Sequence, residues 1–224
     1  MSFSICGTGM YVPVHTVTNE DLSALVETDD EWITTRVGVR ERHIAVTETT
    51  AYMATEAARA ALENSGISAQ ELDLILCATV SADSISPSLA CMVQKGIGAH
   101  CMAFDINAAC AAFLFLLDTA AGYFAGGRVK NVLIVGAERM SRIVDWEDRS
   151  TCVIFGDGAG AAVLCEHRPL RQYVICLYSD RIGCAQSERY AAKRRPPDPL
   201  CIRRRSCQCR MSDHVAVSIV CHHG

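Results

Sequence analysis

The stretch that decides the fold is "MAFDINAACAAFLFLLDTAAGYFAGGRVKNVLIVGAE", residues 102–138. "MAFDI" and "NVLIVGAE" are apolar runs of strand length. Between them, "AACAAFLFLLDTAAGYFAGG" predicts a helix that ends at Gly126-Gly127. A strand, a helix and a second strand in this order are typical of an α/β domain.

The same alternation continues outward through the first 165 residues. "FSICGTGMYV" predicts a strand entering a turn, "TAYMATEAARAALENSG" a helix that stops at Ser65-Gly66, and "LDLILCATV" a strand buried on both faces. "SPSLACMVQKGIG" predicts a helix with Pro87 in its first turn and Gly96 near its end. "TCVIFGDGAGAAVLC" predicts two short strands around a glycine turn. We expect an α/β domain with a parallel or mixed sheet.

Composition changes abruptly near Glu166. Residues 1–165 carry 10 lysines and arginines against 20 aspartates and glutamates, a net charge of −10, whereas residues 166–224 carry 11 against 5, a net charge of +6. The second segment holds 6 of the 13 cysteines but only 2 of the 15 glycines. We therefore expect an α/β domain over 1–165 and a basic, cysteine-rich tail over 166–224 that forms loop or disorder.

The bulk properties exclude several classes of protein. A net charge of −4 over the whole chain favours neither nucleic acid nor membrane as a partner. No apolar run reaches the roughly 18 residues of a transmembrane helix, and the N-terminus lacks the features of a signal peptide. We expect a soluble, cytoplasmic protein whose cysteines are buried thiols, one of them a candidate for reactivity.

Cys110 is that candidate, because it lies between small residues directly after a predicted strand. If the helix begins at residues 108–110, the thiol lies at its N-terminus, where the helix dipole favours the thiolate. A thiolate there suits acyl transfer, and the Cys110 backbone N–H could face a developing oxyanion. The alternative is that Cys110 is a small buried hydrophobic residue.

Trp32 and Arg36 form a second constellation. Thr28 and Glu31 have the spacing of a capping box, which predicts a helix start near Asp29 and places Trp32 and Arg36 on one face. An indole beside a guanidinium can hold a nucleotide base and its phosphate. The alternative is a half-buried tryptophan packed under an arginine stem. Arg149 is either a second such cation or a solvated loop arginine.

Three further motifs indicate little specific chemistry. "FGDGAGA", residues 155–161, lacks the spacing of a phosphate-binding loop and predicts a tight turn between strands. The run "IRRRS", residues 202–206, is either an anion patch or a solvated stretch. The cysteines and histidines of the tail fit no zinc-binding spacing; they are Cys207, Cys209, His214, Cys221, His222 and His223.

Four segments together resemble β-ketoacyl-acyl-carrier-protein synthase III of bacterial fatty acid synthesis. They are "GTGMYVP" (7–13), "DEWITTRVGVRERHIA" (30–45), "AFDINAACAAF" (103–113) and "DRSTCVIFGDGAGAAVL" (148–164). The resemblance covers residues 1–165. It implies a thiolase-like fold, in which two similar α/β halves pack as α-β-α-β-α layers, with homodimers usual in the family.

The resemblance also implies a reaction and its residues. Cys110 matches the nucleophile, and Trp32, Arg36 and Arg149 match residues that bind coenzyme A (CoA). Cys110 would take an acetyl group from acetyl-CoA, and malonyl-ACP (ACP, acyl carrier protein) would lose CO₂ and condense with it to give acetoacetyl-ACP. No metal or other cofactor is implied. Alternatives are another condensing enzyme, such as a hydroxymethylglutaryl-CoA or polyketide-type synthase, a non-catalytic CoA or ACP binder, and a pseudogene product.

The chain departs from the family pattern in two places. Ser86 replaces a bulky aromatic residue that helps to line the acyl pocket in some members, which leaves primer length open. The family's second half supplies a histidine, an asparagine and a glycine loop for condensation, and none of them matches residues 166–224. The composition break suggests a change of reading frame near 165–170, and we expect impaired condensation and an exposed apolar surface.

Overall fold

The structure is a computed structural model that describes residues 3–166 of the 224-residue chain. The chain divides into two units, residues 1–167 and 168–224, and the second lies outside the described residues. The predictions of a disordered, frameshifted tail and of its arginine run therefore concern residues outside the described range. Among the described residues, no helix combines the length and apolar character needed to cross a bilayer.

The described residues form seven strands and six α-helices, with three short 3₁₀ turns at Ala69–Glu71, Ala109–Ala111 and Met140–Arg142. In chain order the strands and helices are β1 (Phe3–Tyr11), β2 (Thr16–Thr18), α1 (Asn19–Ser23), α2 (Asp30–Arg36), β3 (Glu41–His43), α3 (Thr50–Ser65), β4 (Leu74–Ala78), α4 (Leu89–Ile97), β5 (Met102–Ile106), α5 (Ala112–Ala125), β6 (Asn131–Arg139), α6 (Arg149–Cys152) and β7 (Asp157–Glu166).

Five strands form one mixed sheet in the order β1-β7-β6-β4-β5. Strand β4 runs parallel to both β5 and β6, whereas β7 is antiparallel to β6 and to β1. The mixed sheet of the predicted α/β domain is confirmed. In this order the parallel strands β5, β4 and β6 lie together, so the segment from β5 through α5 to β6 is a crossover over β4.

Helices cover both faces of this sheet. Ile75 and Cys77 of β4 belong to the cluster that contains the buried side chains of α3 and α4, whereas Leu74 and Leu76 pack with those of α5. All five residues of β4 are buried, as its continuous apolar run predicts. The described residues are therefore an α-β-α sandwich, with α5 on the opposite face from α3 and α4.

A smaller layer at one end of the domain carries one of the candidate sites. Strands β2 and β3 form a separate two-stranded sheet. Helices α1 and α2 and the end of α6 bury Leu22, Ile33 and Cys152 against one another. Trp32 packs partly on this cluster, so the orientation of α2 depends on residues distant in sequence.

Several local predictions are confirmed. Helix α3 ends at Ser65, and Gly66 takes the left-handed conformation (φ 69°) that closes a helix. Helix α5 ends at Ala125, immediately before Gly126-Gly127.

Other local predictions are wrong. Asp29 rather than Thr28 caps α2, because the Asp29 side chain accepts a hydrogen bond from the Trp32 backbone N–H; the Thr28 Oγ1 is buried and unpartnered among the described residues. Pro87 precedes α4, which Ser88 caps, instead of lying in its first turn.

The segment 151–165 is also not a pair of strands around a turn. Thr151 and Cys152 end α6, and β7 is one continuous strand from Asp157 to Glu166. Glycine in its first half suits close packing rather than a turn, since a Cβ on Gly158 would lie 3.3 Å from the Tyr11 carbonyl oxygen of β1.

Cys6 and Cys165 correct the expectation that the cysteines are free thiols. They lie on the antiparallel neighbours β1 and β7, with Cys6 at a bulge between Ile5 and Gly7, and their Cα atoms are 6.1 Å apart. A disulfide joins them in the structure. Cross-strand proximity, which sequence spacing does not reveal, brings the two thiols together.

Candidate active site

Cys110 lies in the connection between β5 and α5. Strand β5 ends at Ile106, Cys110 is the central residue of the 3₁₀ turn Ala109–Ala111, and α5 begins at Ala112. The helix therefore begins two residues after Cys110 instead of at 108–110. Cys110 is exposed, which rules out the alternative of a buried hydrophobic residue within the described part.

The backbone before Cys110 is strained. Ala109 has a φ of +46°, and no other non-glycine residue among 3–166 has a positive φ. A residue with a Cβ in the left-handed backbone region raises the free energy of the folded state by about 1–3 kcal/mol. Such strain concentrates at functional sites. The turn that contains it holds Cys110 outside the sheet and ahead of α5, as a sharp strand-to-helix turn does for other nucleophiles.

The first turn of α5 leaves backbone donors free of side-chain caps. Ala111 occupies the N-cap position and makes no side-chain hydrogen bond. The unpaired N–H groups of a helix N-terminus carry partial positive charge and stabilise negative charge nearby. A thiolate on Cys110, or an oxyanion formed beside it, would gain from this environment.

Three of the other free cysteines of the described part are less suited to nucleophilic attack than Cys110. Burial raises the pKa of the Cys77 thiol well above its usual range, and the charge of Asp105 adds to the effect. Burial also raises the pKa of Cys101 and of Cys152. Of the five free cysteines among residues 3–166, Cys110 is exposed and the other four are buried or partly buried. The sequence prediction of one reactive thiol is consistent with this distribution.

Trp32, Arg36 and Arg149 lie together, although Arg149 is distant in sequence. The guanidinium carbon of Arg149 is 4.8 Å from the centroid of the Trp32 ring, and that of Arg36 is 5.6 Å away. Arg149 also donates a hydrogen bond of 2.8 Å to the Glu27 carbonyl oxygen just before α2. Both arginines therefore contact the indole, as expected of a single anion- and ring-binding site.

The positive charge of these two arginines is available to a ligand. Among the described residues, neither Arg36 nor Arg149 forms an ion pair with a carboxylate. A shallow depression of about 290 Å³ borders Trp32 and Arg36, and Asp29, Glu31 and Thr35 complete its lining. Asp29 uses its carboxylate to cap α2.

Cys110 is on a different segment from the tryptophan site. No hydrogen bond or ring contact of residues 3–166 joins Cys110 to Trp32, Arg36 or Arg149. The structure thus presents two separate features, a nucleophile at the start of α5 and a cationic aromatic surface on α2 and α6.

Asp157 is a residue whose importance the sequence did not reveal. It is buried and accepts hydrogen bonds from the Ala45 backbone N–H at 2.7 Å and from the Ser141 N–H and hydroxyl at 2.8 and 2.6 Å. It thereby ties the segment after β3 to the segment after β6. The motif "FGDGAGA" carries a structural carboxylate, and the available signal was an aspartate in an otherwise apolar strand.

Comparison with known proteins gives a consistent result. The family model for 3-oxoacyl-[acyl-carrier-protein (ACP)] synthase III matches residues 104–177, which include Cys110. The β-ketoacyl-[acyl-carrier-protein] synthase III of Aquifex aeolicus is 53% identical over 165 residues, or 73% of this chain and 53% of that protein. Over those residues this chain is similar to a β-ketoacyl-ACP synthase III. The Clostridium acetobutylicum synthase III is 49% identical over 183 residues, 81% of this chain and 56% of the relative.

Solved structures support the thiolase-like fold. The crystal structure of the Aquifex aeolicus synthase III superposes with a TM-score of 0.74 at 51% identity and covers 75% of this chain and 55% of that one. The priming β-ketosynthase from the R1128 polyketide pathway gives 0.71 at 38% identity over 74% of this chain and 50% of that one. The chain spans about half the length of the synthase III relatives that it matches.

Proposed function

We propose that this chain accepts an acyl group from acyl-CoA, typically acetyl-CoA, on Cys110. The observation that carries the proposal is an exposed cysteine held by a strained turn directly before α5. The similarity to synthases III supports it, because the matching family model includes this segment. The proposal makes the chain an acyltransferase of fatty acid initiation, with CoA thioester as substrate and no added cofactor.

The surface formed by Trp32, Arg36 and Arg149 is the proposed site for the nucleotide end of CoA. The indole offers a stacking face for adenine, and the two arginines without ion-pair partners offer charge to the phosphates. A separation of 4.8 Å leaves no room for a base between Trp32 and Arg149. Binding on that face therefore requires the Arg149 side chain to move outward.

The first chemical step is thioester exchange. The Cys110 thiolate attacks the acyl carbonyl, and the carbonyl π electrons move to oxygen to form a tetrahedral oxyanion. Backbone N–H groups at the start of α5 stabilise this charge. Collapse of the intermediate breaks the bond to the CoA sulfur, which leaves as a thiolate and takes up a proton, and the acyl group remains on Cys110.

The proposed second step is condensation with malonyl-ACP. Loss of CO₂ from the malonyl group gives a carbanion, which attacks the acyl-Cys110 thioester and releases the cysteine thiolate and acetoacetyl-ACP. The resemblance assigns this step to a histidine, an asparagine and a glycine loop in the family's second half. Residues 166–224 match none of them. We therefore propose that acylation is the stronger activity of this chain and that condensation is impaired.

Free CoA and acetoacetyl-ACP, both measured by chromatography, test the two steps separately. With acetyl-CoA alone, the full chain should release CoA in an amount no greater than that of the protein; with malonyl-ACP added, acetoacetyl-ACP should appear only slowly. Failure to release CoA would contradict the proposed acylation. Rapid turnover with malonyl-ACP would contradict the impairment.

A polyketide-type condensing enzyme is the second candidate, favoured by the structural similarity to the R1128 priming ketosynthase. The two candidates differ in the extender substrate and in the primer. Comparison of malonyl-ACP with malonyl-CoA, and of acetyl-CoA with longer acyl-CoAs, separates them. A chain that only binds CoA or ACP would keep its affinity when Cys110 is replaced by alanine and would never become acylated.

We also propose that the chain acts in the cytoplasm as a homodimer. Acylation requires the thiol form of Cys110, which a reducing compartment favours, although Cys6 and Cys165 are joined by a disulfide in the structure. Strand β5 lies at the edge of the sheet, with Met102 half exposed, and an edge strand can pair with a second copy. Sedimentation of the full chain tests this proposal: a dimer supports it, and a monomer at micromolar concentration contradicts it.

Replacing Trp32 with alanine should weaken CoA binding by a factor of about 5 to 150, because loss of one aromatic stacking partner costs about 1–3 kcal/mol. Isothermal titration with CoA measures the change at a temperature where circular dichroism shows a folded protein. Trp146→Phe is the matched control, since Trp146 packs on the same cluster but forms no cation–π pair with Arg36 or Arg149 in the described part of the chain. Equal CoA affinities for Trp32→Ala and wild type would contradict the assigned site.

A further inference from the structure

Arg42 is a buried arginine without a carboxylate partner among residues 3–166. Its residue on β3 is 3% exposed. One guanidinium nitrogen donates to the carbonyl oxygens of Val17 and Thr18, at 3.2 and 3.3 Å. The other donates to the Asn19 Oδ1 at 2.7 Å and to the Val153 carbonyl oxygen at 3.3 Å, while the Nε has no partner.

This arrangement is energetically unfavourable in isolation. Taking a charge out of water is expensive, and the usual compensation is a buried opposite charge, which Arg42 lacks in the described part. Burial lowers the pKa of the Arg42 guanidinium for the same reason. Four neutral oxygens share the compensation instead. The segments that carry these four oxygens are the ones that Arg42 holds together.

One contact leads to α2. Asn19 accepts from Arg42 and donates its amide N–H to the Asp30 Oδ1 at 2.7 Å and to the Val39 carbonyl oxygen at 2.9 Å. Asp30 is the first residue of α2, two positions before Trp32. The amide of Asn19 therefore relays the position of the guanidinium to the helix that carries Trp32 and Arg36.

Another contact leads to the segment of Arg149. Val153 directly follows α6, which begins at Arg149, and its carbonyl oxygen accepts from the same guanidinium nitrogen that contacts Asn19. Arg42 thus bridges two segments separated by more than a hundred residues in sequence. Those two segments supply all three side chains of the tryptophan site.

We infer that Arg42 is a positioning residue for the CoA site, which holds α2 and the end of α6 at the separation that places Arg149 against Trp32. The identity of the ligand, CoA, rests on the proposed function. The positions that Arg42 fixes do not depend on it. A planar guanidinium with several fixed donors can span Asn19 and the Val153 carbonyl at once, whereas a lysine ammonium presents a single point of charge. The substitution Arg42→Lys therefore keeps the charge and loses the bridge.

The test compares Arg42→Lys with Arg139→Lys. Arg139 is the matched control because its guanidinium donates to two backbone carbonyl oxygens, those of Ala45 and Val46, and because its buried Nε, like that of Arg42, has no partner among the described residues. Because Arg42→Lys shifts Trp32 and Arg149 relative to each other, it should raise the Kd for CoA about tenfold, the equivalent of about 1.4 kcal/mol. Alkylation of Cys110 by iodoacetamide should stay within about twofold of wild type in both variants. Arg139→Lys should leave the Kd unchanged.

A second readout does not depend on CoA. In a Trp146→Phe background, acrylamide quenching of the remaining Trp32 fluorescence should increase with Arg42→Lys and stay constant with Arg139→Lys. If wild type binds no CoA but the quenching changes as expected, the proposed function fails and the positioning role stands. Unchanged quenching together with an unchanged Kd in Arg42→Lys would overturn the positioning role.

A third variant covers the case in which Arg42→Lys does not fold. Asn19→Ala removes the amide that joins Arg42 to Asp30 and to the Val39 carbonyl oxygen, and leaves the guanidinium its bonds to Val17, Thr18 and Val153. It should raise the Kd for CoA and, in the Trp146→Phe background, increase the quenching of Trp32 fluorescence by acrylamide. A folded Asn19→Ala protein with wild-type values of both would contradict the inference.

Discussion

Replacement of Cys110 by alanine is expected to abolish acyl transfer from acetyl-CoA. Removal of a nucleophile leaves only binding and oxyanion stabilisation, and losses of about a thousandfold or more are typical. The turn around Cys110 consists of alanines, so a further alanine at this position fits the local backbone without strain of its own. The rate of CoA release, measured by chromatography, should fall to the level of the uncatalysed reaction.

The matched control for this variant is Cys101→Ala. Cys101 is a free, partly exposed cysteine whose thiol pKa is raised by burial. Cys101→Ala should release CoA at the wild-type rate. If Cys110→Ala kept the wild-type rate, or if both variants lost activity equally, Cys110 would not be the acyl acceptor.

Gly9→Ala is expected to destabilise the fold strongly. A Cβ at this position of β1 would lie 2.3 Å from the Ala57 carbonyl oxygen and 2.3 Å from the Ala61 backbone nitrogen of α3. No side-chain rotation relieves this overlap, because both contacts are backbone atoms. Forcing β1 and α3 apart should destabilise the domain by about 3 kcal/mol or more, near the upper end of overpacking effects. Urea denaturation followed by circular dichroism measures the loss.

Gly160→Ala is the control for Gly9→Ala. Gly160 lies opposite Met10 on the neighbouring strand β7, and a Cβ there meets no atom within 4 Å. Its denaturation midpoint should equal or slightly exceed that of wild type, since alanine lowers the entropy of the unfolded chain. Equal midpoints for Gly9→Ala and wild type would show that β1 does not approach α3 as closely as described.

The large elements of the fold were predictable because their signals are local. The apolar run of β4 predicted a strand buried on both faces, and the glycine after α3 predicted where that helix ends. Burial on both faces and helix termination depend on neighbouring residues in sequence, which a pattern records. The strand-helix-strand stretch around Cys110 likewise predicted β5, α5 and β6 correctly.

The errors arose where several residues compete for one role or where a distant strand decides the outcome. Thr28 and Asp29 are both good helix caps, and the structure uses the second. The glycines of residues 155–161 predicted a turn, but Gly158 and Gly160 lie within the single strand β7, and a Cβ at Gly158 would lie close to β1. The disulfide between Cys6 and Cys165 depends on strand pairing across 159 residues.

The candidate site was predictable in part. The spacing of Trp32 and Arg36 placed both on one helix face, and the structure adds that Arg149 contacts the same ring; the role of Arg149 stays a prediction. Arg42 was not singled out, since it acts through Val153, 111 residues away. The positive φ of Ala109 is also invisible in a run of alanines.

The most direct test of the central claim is to find where an acetyl group goes. The full chain is incubated with acetyl-CoA, quenched in acid, digested, and each acetylated residue is located by mass spectrometry. We expect a single acetyl group on the peptide that contains Cys110, removable by hydroxylamine as a thioester should be. No adduct, or adducts only on lysines or on other cysteines, would contradict the claim that Cys110 receives an acyl group from CoA.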